Sequence, residues 1–190
     1  MKKLITVLTT LFLAGCSVFG IRSADEPNYQ VLNDYGHIQI RQYPVLVVAQ
    51  TEVTADYKNS SSQGFQRLAG YIFGGNKKQQ KMAMTAPVIQ QKSGAVWLMA
   101  FVLPSNYSVA TAPVPLDPAV LIKEIPGKKV AVIRYSGSLS EQGIEEKSEE
   151  LKNWLSQQGF RALSPSRSAA YDPPWTLPFL RRNEVHIDIE

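Results

Sequence analysis

Four stretches of the chain alternate apolar and polar residues with a period of two, the pattern of β-strands with one exposed face. They are residues 29–53, 85–104, 120–137 and 168–190. Glycine or proline interrupts each stretch, so each predicts more than one strand. In the last stretch the segment EVHIDI at 184–189 places three apolar side chains on one side of a strand and three polar ones on the other.

Two other stretches carry apolar residues at helical spacing. The first, residues 60–76, contains serines that can cap a helix and Gly74 and Gly75, which can end it. We predict a helix of about three turns there, with one apolar face. That face is formed by Phe65, Leu68, Ala69 and Ile72.

The second helical stretch covers residues 138–160, where Ser138 or Ser140 can cap and Gly159 can end the helix. Its apolar face is formed by Ile144, Leu151, Trp154 and Leu155, and the acidic run EQGIEEKSEE forms a solvated face. The chain therefore repeats the order of strands, helix and strands. This tandem predicts an α+β fold in which two helices pack on a curved antiparallel sheet or open, distorted β-barrel. Residues 105–119, rich in proline and small residues, predict a long surface connection.

The chain begins MKKLITVLTTLFLAGCS, which has the parts of a signal peptide. Lys2 and Lys3 precede an apolar run that is too short to cross a bilayer, and the ending LAGC resembles the lipobox of bacterial lipoproteins, whose cysteine is acylated. The alternative is an ordinary secretory signal with a chance cysteine. We predict a lipoprotein signal peptide at 1–15, a tether at 16–28 anchored by lipidated Cys16, and one folded domain at 29–190.

The predicted cellular location is the periplasmic side of a bacterial membrane. Ser17, where inner-membrane lipoproteins carry Asp, favours the outer membrane. Cys16 is the one cysteine of the 190 residues, so an intramolecular disulfide is excluded. Removing the signal peptide lowers the formal net charge from +4 to +2, which argues against nucleic acid as a partner.

The sequence shows no catalytic motif and no metal-binding motif. Its two histidines, His37 and His186, lie on the polar sides of alternating strands, so we expect both at exposed or rim positions. The sequence has neither a nucleophile elbow nor a closely spaced histidine pair for zinc. Arg181 and Arg182 could hold an anionic group, although a bond from one of them to a carboxylate such as Glu184 is favoured.

Three motifs together resemble the SOUL family of haem-binding proteins. They are IQIRQYPVLVVA at 38–49, KMAMTAPV at 81–88 and YDPPWTLPFLRRNEVHIDI at 171–189. The resemblance covers roughly residues 29–190. It implies a distorted β-barrel built from two similar strand-helix-strand halves, and binding of haem or a related tetrapyrrole at an apolar surface beside the first helix.

In this chain that surface would contain Phe65, Leu68, Ala69 and Ile72, with Arg67 as the cation of the helix. Gln42 occupies the position where some animal members carry a histidine proposed as the axial ligand, so that ligand is missing. Met82 and Met84 could line the pocket or ligate iron through sulfur, but packing under the helix is favoured.

These observations predict a membrane-anchored binding protein that carries or sequesters haem or another apolar ligand. Two alternatives stay open. One is an enzyme that acts on a small hydrophobic compound in the same groove, and the other is an envelope interaction protein without a ligand.

Overall fold

The computed structural model describes residues 24–190. The predicted signal peptide at 1–15, the predicted lipidation site Cys16 and the tether as far as residue 23 lie outside the described residues. Within residues 24–190, none of the helices combines the length and the apolar character needed to cross a bilayer.

One nine-stranded sheet and two helices account for most of residues 24–190. The strands are β1 Gln30–Asp34, β2 Ile38–Tyr43, β3 Leu46–Val53, β4 Val88–Ser93, β5 Val96–Val102, β6 Leu121–Ile125, β7 Lys128–Tyr135, β8 Arg167–Ala170 and β9 Asn183–Ile189. The helices are α1 Tyr57–Ile72 and α2 Glu141–Gln157, with a short 3-10 turn at Pro178–Leu180. The sheet is antiparallel throughout and curls into a half-barrel, so the predicted α+β fold is confirmed.

The strand order shows the internal repeat. It runs β1-β2-β7-β9-β8-β4-β5-β3-β6. Read inward from β2 the strands are β2, β7, β9 and β8, and read inward from the opposite edge they are β6, β3, β5 and β4. The two series match strand for strand, since β2, β3, β4 and β5 of the first half correspond to β6, β7, β8 and β9 of the second. Each half therefore contributes one strand to the other half: β2 of the first half pairs with β7, and β6 of the second half pairs with β3. The two-half architecture predicted from the sequence is confirmed, and this exchange joins the halves into one sheet.

Helix α1 begins earlier than its apolar spacing predicts. Asp56, not a serine, caps it: a side-chain oxygen of Asp56 accepts a hydrogen bond from the backbone N–H of Asn59 at 3.0 Å. Ser60 and Ser61 lie inside the first turns, where their hydroxyls donate to the carbonyl of Tyr57 at 2.9 and 2.7 Å. The predicted serine cap is wrong, because Asp56 caps the helix ahead of the serines and the serine hydroxyls bond back to the helix backbone.

Helix α2 has the predicted ends. The hydroxyl of Ser140 accepts from the backbone N–H of Gly143 at 3.1 Å, and Gly159 follows the helix with a φ of +74°. Both helices pack on the same face of the sheet: α1 covers β3 and β5, and α2 covers β7 and β9. Their buried contact residues include Leu68 and Ile72 on α1 and Leu151 and Leu155 on α2.

The residues of β9 that face the opposite, concave side of the sheet are also buried. All seven residues of β9 are buried, and the side chain of His186 is 5% exposed. The expected exposed or rim position of His186 is therefore wrong. The alternation along β9 is as predicted, but the curl of the sheet turns the polar side of this strand inward. His37 is exposed, as expected, and lies 3.3 Å from Glu150 on α2.

Two segments outside the regular elements pack on the domain. Residues 24–28, expected in the tether, contact it: Asp25 pairs with Thr85. The long connection 105–119 runs against the end of α1, where the hydroxyl of Tyr71 donates to the carbonyl of Pro113 at 2.9 Å. The backbone N–H of Leu116 donates to the carbonyl of Gly75 at 3.0 Å. The connection therefore lies at the C-terminal end of α1.

Candidate functional site

The outer side of α1 carries an apolar stripe. Phe65, Ala69 and Phe73, the residue that caps the end of α1, follow one another at intervals of four residues, which places them along one side of the helix. Phe65 is 43% exposed and Phe73 is 61% exposed, whereas Ala69 is partly buried. The ring of Phe65 packs edge-on against buried Phe101, with 5.4 Å between ring centroids. At one end of the stripe, contact with Phe101 holds the ring of Phe65; at the other end, the ring of Phe73 is exposed to solvent.

A basic turn follows the stripe. Lys77, Lys78 and Lys81 are all exposed, and a Cβ atom on Gly74 would lie 4.0 Å from the Cγ of Lys81. The fully buried Asn76 organises this turn through its side-chain amide. The amide nitrogen donates to the carbonyl of Gln80 at 2.8 Å, and the amide oxygen accepts from the backbone N–H of Gln80 at 3.1 Å. We refer to Phe65, Ala69, Phe73, Lys77, Lys78 and Lys81 together as the helix surface.

Of the site residues that were predicted from the sequence, some lie at the surface and others in the core. Phe65 and Ala69 belong to the helix surface. Leu68, Ile72 and Met82 are 0, 1 and 7% exposed and lie in the core beneath it. Met84 is partly buried and packs against the same core cluster.

Arg67, the predicted cation of α1, is bound within the protein. Its guanidinium donates to the hydroxyl of Thr51 at 3.2 Å and to the carbonyl of Glu52 at 3.1 Å, and it lies 3.8 Å from a carboxylate oxygen of Asp117. Phe73 and the three lysines are site residues that were not predicted from the sequence. The spacing of Phe73 from Phe65 and Ala69 was the signal that could have identified it.

A buried charge network lies on the concave face, centred on Glu184. Both carboxylate oxygens accept from the guanidinium of Arg41, at 2.9 and 3.1 Å. Further donors are the hydroxyl of Tyr171 and Nε of Arg182, each at 2.9 Å, and Nε2 of His186 at 2.8 Å. The Glu184 side chain is fully buried and that of Arg41 is 3% exposed. The favoured pairing of Arg182 with Glu184 is confirmed.

The protonation states in this network follow from its contacts. Burial by itself would raise the pKa of Glu184, but the hydrogen bonds from His186 and Arg41 and the charge of Arg41 lower it below its ordinary value. Burial lowers the pKa of His186, and the neighbouring carboxylate offsets only part of that effect. Glu184 is therefore ionised and His186 neutral near pH 7, so Nε2 of His186 carries the proton that Glu184 accepts.

A cleft of about 200 Å³ opens on the same concave face. Its walls are mainly apolar and come from both halves of the sheet; they include Leu46, Ile89, Leu98, Ala100, Val102 and Ile125. Lys128, Arg167, His186 and Asp188 lie on the side of the cleft formed by β7, β8 and β9, which we call its polar end; Gln50 and Gln91 also line the cleft. The cleft and the helix surface lie on opposite faces of the sheet.

The described residues form one curled antiparallel sheet with two helices on one face and a cleft on the other. The family model described as SOUL heme-binding protein matches residues 24–188. The chain therefore belongs to the SOUL family. Relatives include heme-binding protein 1 of Xenopus laevis, 29% identical over 156 residues, which span 76% of this chain and 80% of that protein. Heme-binding protein 2 of Mus musculus is 29% identical over 160 residues, 79% of this chain and 77% of that protein.

The fold also occurs in solved structures of distant sequence. The C-terminal domain of EcmrR superposes with a TM-score of 0.63 at 11% identity, over 85% of this chain and 98% of that one. At this identity the similarity shows the fold alone.

Proposed function

We propose that this protein is a membrane-anchored binding protein for haem or a related tetrapyrrole, held on the periplasmic side of a bacterial membrane, where it carries or sequesters its ligand. The observation that carries this proposal is the SOUL family match over nearly all of residues 24–190, with relatives named as haem-binding proteins.

The helix surface supports haem as the ligand. Haem is a flat apolar plate with two carboxylates, so its site needs exposed apolar side chains with cations at the edge. Phe65 and Phe73 are eight residues apart, which is about 12 Å along a helix. The exposed lysines of the 77–81 turn follow directly, and they can meet the carboxylates.

Axial ligation is limited by the donors present in residues 24–190. His37 pairs with Glu150 on the other helix, and His186 lies on the concave face, so neither histidine belongs to the helix surface. Met82 is a core residue, which leaves Met84 as the partly exposed sulfur beside α1. Haem binding at this surface therefore rests mainly on apolar and ionic contacts.

A haem titration followed by the Soret band tests the proposal. We expect saturable binding that Phe65→Asp and Lys81→Glu each weaken at least tenfold. Leu163→Asp is the control, because Leu163 is 53% exposed and follows α2. A Soret shift in Met84→Ala would identify sulfur ligation. Absence of saturable binding in the folded protein, or equal loss in Leu163→Asp and Phe65→Asp, would refute haem binding at this surface.

Membrane anchoring is tested separately. Cys16→Ser should abolish labelling by radioactive palmitate and shift the protein from the membrane fraction to the soluble fraction, because the acylated cysteine would be the anchor. Ser17→Ala is the control, since it keeps the cysteine. Unchanged membrane association in an unlabelled Cys16→Ser variant would refute anchoring through Cys16.

A further inference from the structure

The cleft on the concave face has no role in the function proposed above. Its walls are mainly apolar, and its charged lining residues, Lys128, Arg167 and Asp188, lie together on the side formed by β7, β8 and β9. Leu98 on β5 and Ile125 on β6 belong to one half of the sheet, and Val130 on β7 belongs to the other. An apolar cavity with a few convergent polar groups is the usual form of a small-molecule site.

The charges at the polar end do not balance. Asp188 is ion-paired to two cations: Lys128 Nζ lies 2.8 Å from Oδ2, and Arg167 Nη2 lies 2.7 Å from Oδ1. Two positive charges therefore share one carboxylate. Burial would raise the pKa of Asp188, but the Arg167 and Lys128 charges lower it, so the carboxylate is ionised near pH 7. The cluster retains one positive charge.

The neighbouring groups do not cancel that charge. His186, the fourth polar residue of this end, is neutral near pH 7 because burial lowers its pKa. Glu184, the next carboxylate on the concave side of β9, is bonded to Arg41 and Arg182. The Lys128 side chain is 45% exposed, so its ammonium can turn toward a bound group while Arg167 holds Asp188. A positive charge beside apolar walls attracts an anion more strongly than it would in open water.

We propose that this cleft is a second ligand site that binds small apolar monocarboxylates. The apolar body of the ligand lies between Leu98 and Ile125, and its carboxylate pairs with Lys128 at the polar end. Uncharged analogues lose the ion pair, and cationic analogues are repelled.

The size of the cleft sets the ligand class. Its volume of about 200 Å³ is smaller than the roughly 300–1,000 Å³ of sites for drug-sized molecules. A cleft of this size suits a medium-chain acid such as octanoate. The cleft and the helix surface lie on opposite faces of the sheet, so the two sites are separate.

Isothermal titration calorimetry with octanoate, octanol and octylammonium tests the charge preference on the purified protein. We expect saturable 1:1 binding of octanoate, with octanol and octylammonium each at least tenfold weaker. Absence of saturable octanoate binding, or equal binding of octylammonium, would overturn the proposal. Neither result bears on haem binding at the helix surface, which the Soret titration measures separately.

Variants locate the site. Lys128→Gln keeps the Arg167–Asp188 pair and removes the extra charge, so octanoate should bind at least tenfold more weakly. Lys129→Gln is the matched control, because adjacent strand residues face opposite sides of the sheet. Leu98→Trp should block octanoate by filling the cleft while leaving haem binding intact. Equal octanoate affinity in Lys128→Gln and Lys129→Gln, or unchanged affinity in folded Leu98→Trp, would show that octanoate binds elsewhere.

Discussion

Replacing Glu184 by Gln should strongly destabilise the fold, because Glu184 is the carboxylate that compensates buried Arg41. Gln preserves the size of the side chain but removes its charge. Arg182 would keep Glu26, which lies 2.9 Å away, whereas Arg41 would lose its ion pair at a site where its side chain is 3% exposed. Breaking a buried ion pair from one side costs about 3–5 kcal/mol in the free energy of unfolding.

That loss would be a large part of a total stability of about 5–15 kcal/mol. In a domain of this size, about 3–5 kcal/mol corresponds to a melting temperature lower by roughly 6–20 °C. Urea unfolding followed by circular dichroism measures the change. Glu149→Gln is the control: it removes an exposed ion pair with Lys152 on α2 and should cost at most about 1 kcal/mol.

A double-mutant cycle separates the lost pair from other effects of the substitution. Arg41→Met added to Glu184→Gln should cost less than the sum of the single changes, because the second substitution removes the charge that the first leaves unpaired. If Glu184→Gln destabilises no more than Glu149→Gln, or if the two substitutions are additive, the network does not stabilise the fold through this ion pair.

Three further predictions concern pH, the core and the basic turn. Because the pKa of His186 is lower in the folded than in the unfolded protein, the free energy of unfolding should fall by up to about 2 kcal/mol as the pH is lowered from 7 to 5. Urea unfolding of His186→Gln should lack this decrease. The same pH dependence in His186→Gln as in the unsubstituted protein would contradict the prediction. Leu68→Ala should cost about 2–5 kcal/mol in urea unfolding, since Leu68 is fully buried, whereas Phe65→Ala should cost less; equal losses would contradict this core assignment. Asn76→Ala should accelerate amide hydrogen exchange in the 77–81 turn, because three hydrogen bonds of that side chain go to Lys78 and Gln80 and a fourth joins it to the carbonyl of Tyr71. Unchanged exchange would show that the turn does not depend on the Asn76 side chain.

Periodicity along the chain determined the elements and their order. Alternation of apolar and polar residues identified the strands, and the repeated order of strands, helix and strands indicated two similar halves. Local chemistry also determined the ends of α2, because the Ser140 cap and Gly159 act on neighbouring backbone groups. These features depend on residues close in sequence, so the sequence alone could predict them.

The exchange of strands, the burial of β9 and the cleft depend on contacts between residues far apart in sequence. The alternation of Glu184 and His186 with apolar neighbours is the same for a solvated sheet face as for a closed one. Only the curl of the sheet, which brings Arg41 from β2 against Glu184 on β9, makes that side interior. Helical spacing likewise could not separate Leu68, in the core, from Phe65, at the surface, because both belong to one apolar arc until the sheet covers part of it.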